Sequence, residues 1–305
     1  MTLEKAEEIT TLFSSSLGIV SSLIIIIIFI YFKEYRLFYR KLVFILSIYD
    51  FFQSLSFLLP GKSNQTVCKI QALMTIIFGT IPSFWSAVIS LVSYFKIVKE
   101  FTDQRLNKIQ NLIHLFVLIP VVILVAVHLS FYDVNSSKTY WCSTENQVVL
   151  ITFYLFVWIY GITCLVFYII TIVQLKRLFK LVSKGYYSAN ISQPNQFWIQ
   201  VRMSLIPLVE FIVIIPATIG RLRDIINPSC SDIPTLDILH SILSISQGFW
   251  DFLIFIVFDP EIRKKIRDCC SSNQFEKYDS GFDIQSYQSK MQADLFIDDE
   301  LDHKI

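Results

Sequence analysis

The sequence predicts an all-α membrane protein: a seven-transmembrane helix bundle with its N-terminus outside, followed by a short amphipathic helix and a disordered cytoplasmic tail. Three observations predict this fold class. Hydrophobic residues make up 54% of the 305 residues, and the mean hydropathy of +0.56 is higher than a soluble domain usually sustains. The apolar residues gather in seven runs, each close to the roughly 20 residues that a spanning helix needs. Lys and Arg concentrate in alternate gaps between the runs.

The seven runs define the domain organisation. The predicted spans, numbered one to seven in chain order, are 12–32, 42–59, 70–94, 112–131, 148–173, 203–226 and 236–258. Together they form a transmembrane domain over 12–258, preceded by a short extracellular N-terminus at 1–11. Prolines within three spans predict kinks in those helices, at Pro82, Pro120, Pro207 and Pro216.

The distribution of positive charge predicts the orientation. The gaps 33–41, 96–110, 174–202 and 259–270 are rich in Lys and Arg. The opposite gaps 1–11, 61–69 and 132–147 hold only Lys5, Lys62, Lys69 and Lys138. Because positive loops stay in the cytoplasm, we expect an extracellular N-terminus and a cytoplasmic C-terminus in a multi-pass protein of the plasma membrane.

Cysteines and glycosylation sequons fall on the predicted outer side. Cys68 begins span three and Cys142 lies in the second outer loop, where oxidising conditions favour a disulfide between them. The alternative is two unpaired thiols. Asn64 and Asn135 begin Asn-X-Ser/Thr sequons in outer loops, which predicts glycosylation at both.

The segment after span seven has a different character. The sequence DPEIRKKIRDCC at 259–270 predicts an amphipathic helix whose basic face meets lipid headgroups or water. Cys269 and Cys270 lie beside the membrane, so they are candidate palmitoylation sites, although unmodified thiols are the alternative. Residues 271–305 are polar and become acidic toward the end, which predicts a disordered tail.

Ionisable residues inside the spans form a predicted inner layer. Asp50, Glu210 and Asp251 lie at a common depth of about 10–12 Å from the cytoplasmic helix ends. Such groups face the bundle interior, so they predict a buried network that shares protons or holds an ion or waters. The alternative is that each carboxyl makes a separate packing hydrogen bond. The serines of span three share a face, which predicts close helix packing at Ser83, Ser86, Ser90 and Ser93.

A second layer is predicted at the outer end of the bundle. Arg221 and Arg223 end span six, and His240 lies just inside the outer end of span seven. Together they predict a cationic mouth that suits an anionic ligand such as a phosphate or carboxylate. The alternative is that the arginines extend to the membrane interface without binding anything.

Span seven connects the two layers. In the stretch HSILSISQGFWDF at 240–252, the polar residues His240, Ser244, Gln247 and Asp251 lie on one helix face. With IPATIGR at 215–221, the sequence of span seven resembles the slime-mould cyclic-AMP receptors and receptor-like proteins, class E of the G-protein-coupled receptors. Gln247 to Phe249 is also similar to the span-seven motif of secretin-type receptors.

The resemblance implies a receptor that passes an extracellular small-molecule signal to a heterotrimeric G protein. His240 and Ser244 would then line a ligand cavity beside Arg221, while Gln247 joins the buried network and Gly248 allows a neighbouring helix to approach. The third inner loop, 174–202, would be the main surface for the G protein. Gly220 and Gln247 replace the Asn and His that are common in cyclic-AMP receptors, which argues against cyclic AMP itself as the ligand.

Other function classes fit the sequence less well. The main alternative is an ion- or proton-coupled transporter, which would use the buried carboxylates as a relay. A retinal protein needs a Schiff-base lysine, and 236–258 contains none. No cofactor, metal site or enzymatic activity is expected, because His114, His128 and His240 lack a metal-ligand arrangement. A net charge of +1 predicts partners other than nucleic acid, namely the lipid bilayer, a ligand and a G protein.

Overall fold

The computed structural model describes residues 3–32, 38–60, 64–131, 134–135, 142–144, 146–183, 205–226, 234–257 and 259–270. Contacts divide the chain into two units, Met1–Asp259 and Pro260–Ile305. The first unit contains the helical bundle. In the second unit the structure describes one helix, Pro260–Cys270, and the tail predicted at 271–305 lies outside the described residues.

The described helices confirm the predicted all-α membrane fold class. The bundle contains α1 (Leu3–Tyr31), α2 (Phe38–Leu58), α3 (Gln65–Ile97), α4 (Asp103–Lys108), α5 (Gln110–Ser130), α6 (Gln147–Ser183), α7 (Leu205–Ile226), α8 (Pro234–Ile245) and α9 (Gln247–Phe252). A π-helical segment, Leu253–Val257, continues α9, and α10 is Pro260–Cys270. Predicted spans one to six each overlap one of these helices, and α1 begins ahead of the predicted start at residue 12. Span seven overlaps α8, α9 and the π-helical segment.

Length and composition separate the helices that could cross a membrane from shorter ones. Within the described residues, five helices are long and apolar enough, and they correspond to spans one to five. Span seven is a bent pair, Ile238–Ile245 and Gln247–Ile256, which would make a sixth. In span six the apolar part of the described helix, Leu205–Gly220, is shorter, and Arg221, Arg223 and Asp224 follow it.

Helix α3 lies at the centre of the bundle. It packs against α2, α5, α6 and α7, whereas α1 packs against α2 and both halves of span seven. Large apolar side chains remain exposed along α5 and α6, for example Ile119, Val122, Ile159 and Ile162. Exposed apolar surfaces of this extent fit contact with lipid.

An antiparallel pair of short strands between α5 and α6 adds to the predicted architecture. Strands β1 (Val134–Asn135) and β2 (Ser143–Thr144) pair antiparallel, with Val134 opposite Thr144. So short a pair has little stability of its own. The disulfide between Cys142, directly before β2, and Cys68 of α3 explains why the strand pair can persist.

Candidate functional site

The predicted disulfide between Cys68 and Cys142 is present, and it fixes the loop between α5 and α6 on the start of α3. The two Cα atoms are 5.3 Å apart. Beside the disulfide, the fully buried Gln71 accepts a hydrogen bond from the backbone N–H of Cys142 at 2.9 Å. Its amide nitrogen donates to the carbonyls of Ser56 and Leu59 at 3.2 and 2.9 Å. The loop is therefore held to both α2 and α3 at one end of the bundle, here called the disulfide end.

The predicted modification sites stay predictions. Asn64 is exposed at the N-cap of α3, where its side-chain oxygen accepts a hydrogen bond from the Thr66 N–H at 2.8 Å. A glycan would attach to the amide nitrogen, so the cap does not compete with glycosylation. Asn135 lies in β1, and Cys269 and Cys270 end α10, but their side chains are outside the described part of the structure.

A cavity of ≈ 140 Å³ lies inside the bundle at the disulfide end. Residues from α2, α3, α6, α7 and span seven line it, together with Cys142. Its walls are largely apolar, from side chains that include Phe57, Ile76, Phe153, Val157 and Val213. Its polar lining residues are Gln53, Thr75, Ser83, Tyr154, Glu210, His240, Ser244 and Gln247.

Glu210 is the carboxyl group of this cavity, and spans three, six and seven meet at it. The Ser83 hydroxyl donates to Glu210 Oε1 at 2.5 Å, and the Gln247 amide nitrogen donates to Oε2. All three residues are buried. Each carboxyl oxygen therefore has one donor, and the hydrogen bonds tie three helices together across the bundle interior.

Span seven breaks beside this network. Helix α8 ends at Ile245 and α9 begins at Gln247, with a bend of 49° between them. A helix break leaves carbonyl groups without intrahelical partners, and inside a membrane other groups must satisfy them. Here the Gln53 amide nitrogen donates to the Ser244 carbonyl, and the Ser54 hydroxyl donates to the Ile245 carbonyl, both at 3.3 Å.

Glycines let α1, α2 and span seven approach closely at the break. A Cβ atom on Gly248 would overlap the Ser22 hydroxyl and lie 3.1 Å from the Gly18 carbonyl and 3.2 Å from the Cβ of Asp50. A Cβ atom on Gly18 would lie 3.1 Å from the Ile245 carbonyl. The expectation that Gly248 allows close helix approach is therefore confirmed.

Asp50 and Asp251 form a second buried group, beside the break in span seven and outside the lining of the cavity. Their side chains are 1% and 2% exposed, and their carboxyl groups are close enough to interact. Three of their carboxyl oxygens have no hydrogen-bond partner among the described residues: Oδ1 and Oδ2 of Asp50 and Oδ2 of Asp251. The four residues predicted as one network are thus brought together as two neighbouring pairs, Glu210 with Gln247 and Asp50 with Asp251. No cluster of three or more metal-ligating side chains occurs in the described part of the chain.

The structure describes the side chains of only two of the four predicted ligand residues. His240 and Ser244 line the cavity. Arg221 and Arg223 lie near the end of α7, but their side chains are outside the described part of the structure, so the cationic mouth stays a prediction.

Sequence reasoning missed two polar contributors to the site. Gln53 follows Asp50 by three residues, a spacing that places both on one helix face and could have indicated its role. Ser83 was expected to serve close packing, yet it hydrogen-bonds Glu210.

Comparisons with known proteins point to one class. No family model matches the chain. It is 27% identical over 250 residues to "G-protein coupled receptor 1" of Arabidopsis thaliana, a match that covers 77% of this chain and 76% of that protein. It is 34% identical over 79 residues to "Cyclic AMP receptor-like protein A" of Dictyostelium discoideum, covering 26% of this chain and 21% of that protein. These relatives confirm the resemblance to the cyclic-AMP-receptor-like G-protein-coupled receptors that spans six and seven predict.

Proposed function

We propose that this protein is a G-protein-coupled receptor that transmits an extracellular small-molecule signal to a heterotrimeric G protein across the plasma membrane. The proposal includes the orientation predicted from the charged loops, with the disulfide end outside. The relatives are named as receptors rather than enzymes, which supports a non-enzymatic role.

The observation that carries the proposal is the cavity at the disulfide end, which Glu210 and its two donors help to line. A mostly apolar cavity with a few converging polar groups is the usual form of a small-molecule site. Five helices contribute to it, so a molecule bound there would contact several elements whose relative positions can change.

The break in span seven supports a route from the cavity toward the other end of the bundle. Gln53, Ser244 and Gln247 all line the cavity, and all three take part in the break or in the Glu210 network beside it. A ligand that changes the Gln53 or Gln247 hydrogen bonds would therefore change the packing of α2 against span seven. That shift would alter the surface presented to a G protein.

The experiment is nucleotide exchange on purified heterotrimers, with the receptor in nanodiscs. We expect exchange above that of empty nanodiscs, and Gln247→Leu should change its level because it removes the donor to Glu210. A cell-surface labelling assay with an N-terminal epitope tests the orientation. No exchange with any of several heterotrimers, combined with ion-coupled uptake into vesicles, would replace the receptor proposal with a transporter.

A further inference from the structure

We propose that the cavity binds a small primary amine as its ammonium ion, held by Glu210 and Gln53, and not an anion. The role of that amine as a signal rests on the proposed receptor function, whereas its binding does not. The sequence instead predicted an anionic ligand at Arg221 and Arg223, whose side chains lie outside the described part of the structure.

Glu210 supplies the carboxyl acceptor. The residue is 5% exposed and lines the cavity, and Ser83 and Gln247 occupy one acceptor position on each carboxyl oxygen. Each oxygen of a carboxylate has a further lone pair. An ammonium group provides three donors and a positive charge, so it can use those positions and compensate the buried charge.

Gln53 supplies a second, independent acceptor. Its side chain is 3% exposed and lines the cavity, and its amide nitrogen is engaged with the Ser244 carbonyl. Its Oε1 atom has no hydrogen-bond partner among the described residues. A buried oxygen in this state costs free energy that a donor from a ligand would recover.

The charges around the cavity also favour a cation. None of the residues that line it in the described structure is Lys or Arg. His240 lines the cavity, but it lies seven residues from Gln247, about 10 Å along the helix axis. A carboxylate or phosphate ligand would therefore meet Glu210 in a low-dielectric interior, where like charges repel strongly.

The residues that line the cavity limit the size and polarity of the part of the ligand that carries the ammonium group. The cavity is small, ≈ 140 Å³, and apolar side chains such as Phe57, Ile76 and Val213 line it, which suits a short alkyl or single-ring body. Gly79 also lines the cavity, and a Cβ atom added there would meet nothing within 4 Å. A larger side chain at Gly79 can therefore grow into the space without displacing backbone.

The test is thermal unfolding of the purified full-length protein in nanodiscs, followed by tryptophan fluorescence. The probes are n-butylamine, benzylamine and phenethylamine, with benzyl alcohol and benzoate as neutral and anionic partners of the same size as benzylamine. We expect at least one amine to raise the midpoint by a few degrees at saturation, and benzyl alcohol and benzoate to leave it unchanged.

Variants identify the site. Glu210→Gln keeps the shape of the side chain, and a flip of the Gln247 amide can restore a hydrogen bond to it, so this variant should fold and lose the amine response. Gly79→Leu should lose the response by occupying the space while Glu210 is intact. Asp251→Asn is the matched control, because it removes a buried carboxyl that does not line the cavity, and it should keep the response.

Three results would overturn the proposal: no amine raises the midpoint, benzoate raises it as much as benzylamine, or Glu210→Gln and Gly79→Leu both keep the full response. The assay needs no G protein, so its failure is separate from failure of the receptor function. Amine-induced stabilisation without nucleotide exchange would uphold the ligand chemistry and reject the receptor. Basal exchange without stabilisation by any amine would uphold the receptor function and reject the amine ligand.

Discussion

Arg40 and Asp259 form an ion pair between the start of α2 and the end of span seven. The guanidinium lies 3.7 Å from the Asp259 carboxylate, and the two side chains are only 5% and 6% exposed. The pair joins the same two spans that Gln53 and Ser54 join at the break, but at the opposite end of α2. Span seven is thus fixed to α2 both at its bend and at its end.

Removing one member of this pair should destabilise the protein. We expect Asp259→Asn to lower the free energy of unfolding by about 3 kcal/mol, because it leaves the Arg40 charge buried with less compensation. Thermal and denaturant unfolding in nanodiscs would measure the loss. The double variant Arg40→Gln with Asp259→Asn should lose less than the sum of the two single variants. Strict additivity would show that the two charges are not coupled.

Two glycines should respond to the same substitution with opposite signs. Gly248→Ala places a Cβ atom against Ser22, Gly18 and Asp50, so we expect a loss of about 1–3 kcal/mol from overpacking. Gly79→Ala meets open space and should gain about 0.5–1 kcal/mol from the helix preference for alanine. Parallel unfolding measurements on both variants check the pair. Equal effects at the two positions would contradict the close approach of α1 and span seven.

The disulfide should contribute substantially to stability. It closes a loop with a sequence separation of 74 residues, and a crosslink of that kind contributes about 2–4 kcal/mol. We expect Cys142→Ser to lower the unfolding midpoint, and reductant to have the same effect on the wild type but none on the variant. Gln71→Leu should produce a smaller loss of about 1–3 kcal/mol with the disulfide intact, because it removes the hydrogen bonds to Cys142, Ser56 and Leu59.

The carboxyl pair below the break offers a test of signalling. Asp50→Asn provides an amide donor to the Asp251 oxygen that has none, so we expect unfolding stability to be equal or higher. Because the pair lies against Gly248 at the break, the variant should change basal nucleotide exchange more than surface expression. Nucleotide exchange and surface expression should be quantified in the same cells. A parallel loss of exchange and expression would assign Asp50 a folding role instead.

Much of the fold could be predicted from the sequence because its determinants are local or additive. Spans one to five are each visible as a run of apolar residues long enough for a bilayer, and this property needs no partner helix. Cys68 and Cys142 could be paired because the predicted topology places both on the same, oxidising side. The ends of the helices were less predictable. Helix α6 continues to Ser183, past the predicted span 148–173, because backbone hydrogen bonds can extend a helix beyond its apolar residues.

The site was only partly predictable. The polar face of span seven indicated Gln247 and Asp251 as interior residues, and the helical period was sufficient for that. The sequence predicted kinks only at prolines in spans three, four and six. The described bend of span seven contains no proline and is supported by Gln53 and Ser54 of another helix. A helix can break without proline when distant side chains satisfy the released carbonyls, and no local pattern reports that.

The sequence by itself determined that this chain is a membrane helix bundle and which ionisable residues lie within its predicted spans. Only the tertiary structure decided how those groups divide. It joined Glu210 to Ser83 and Gln247 at a cavity and left Asp50 and Asp251 together outside it. The reason is that hydropathy is a property of each segment alone. The partner of a buried polar group depends on which helices touch and in what rotation, and contacts between residues far apart in the chain set both.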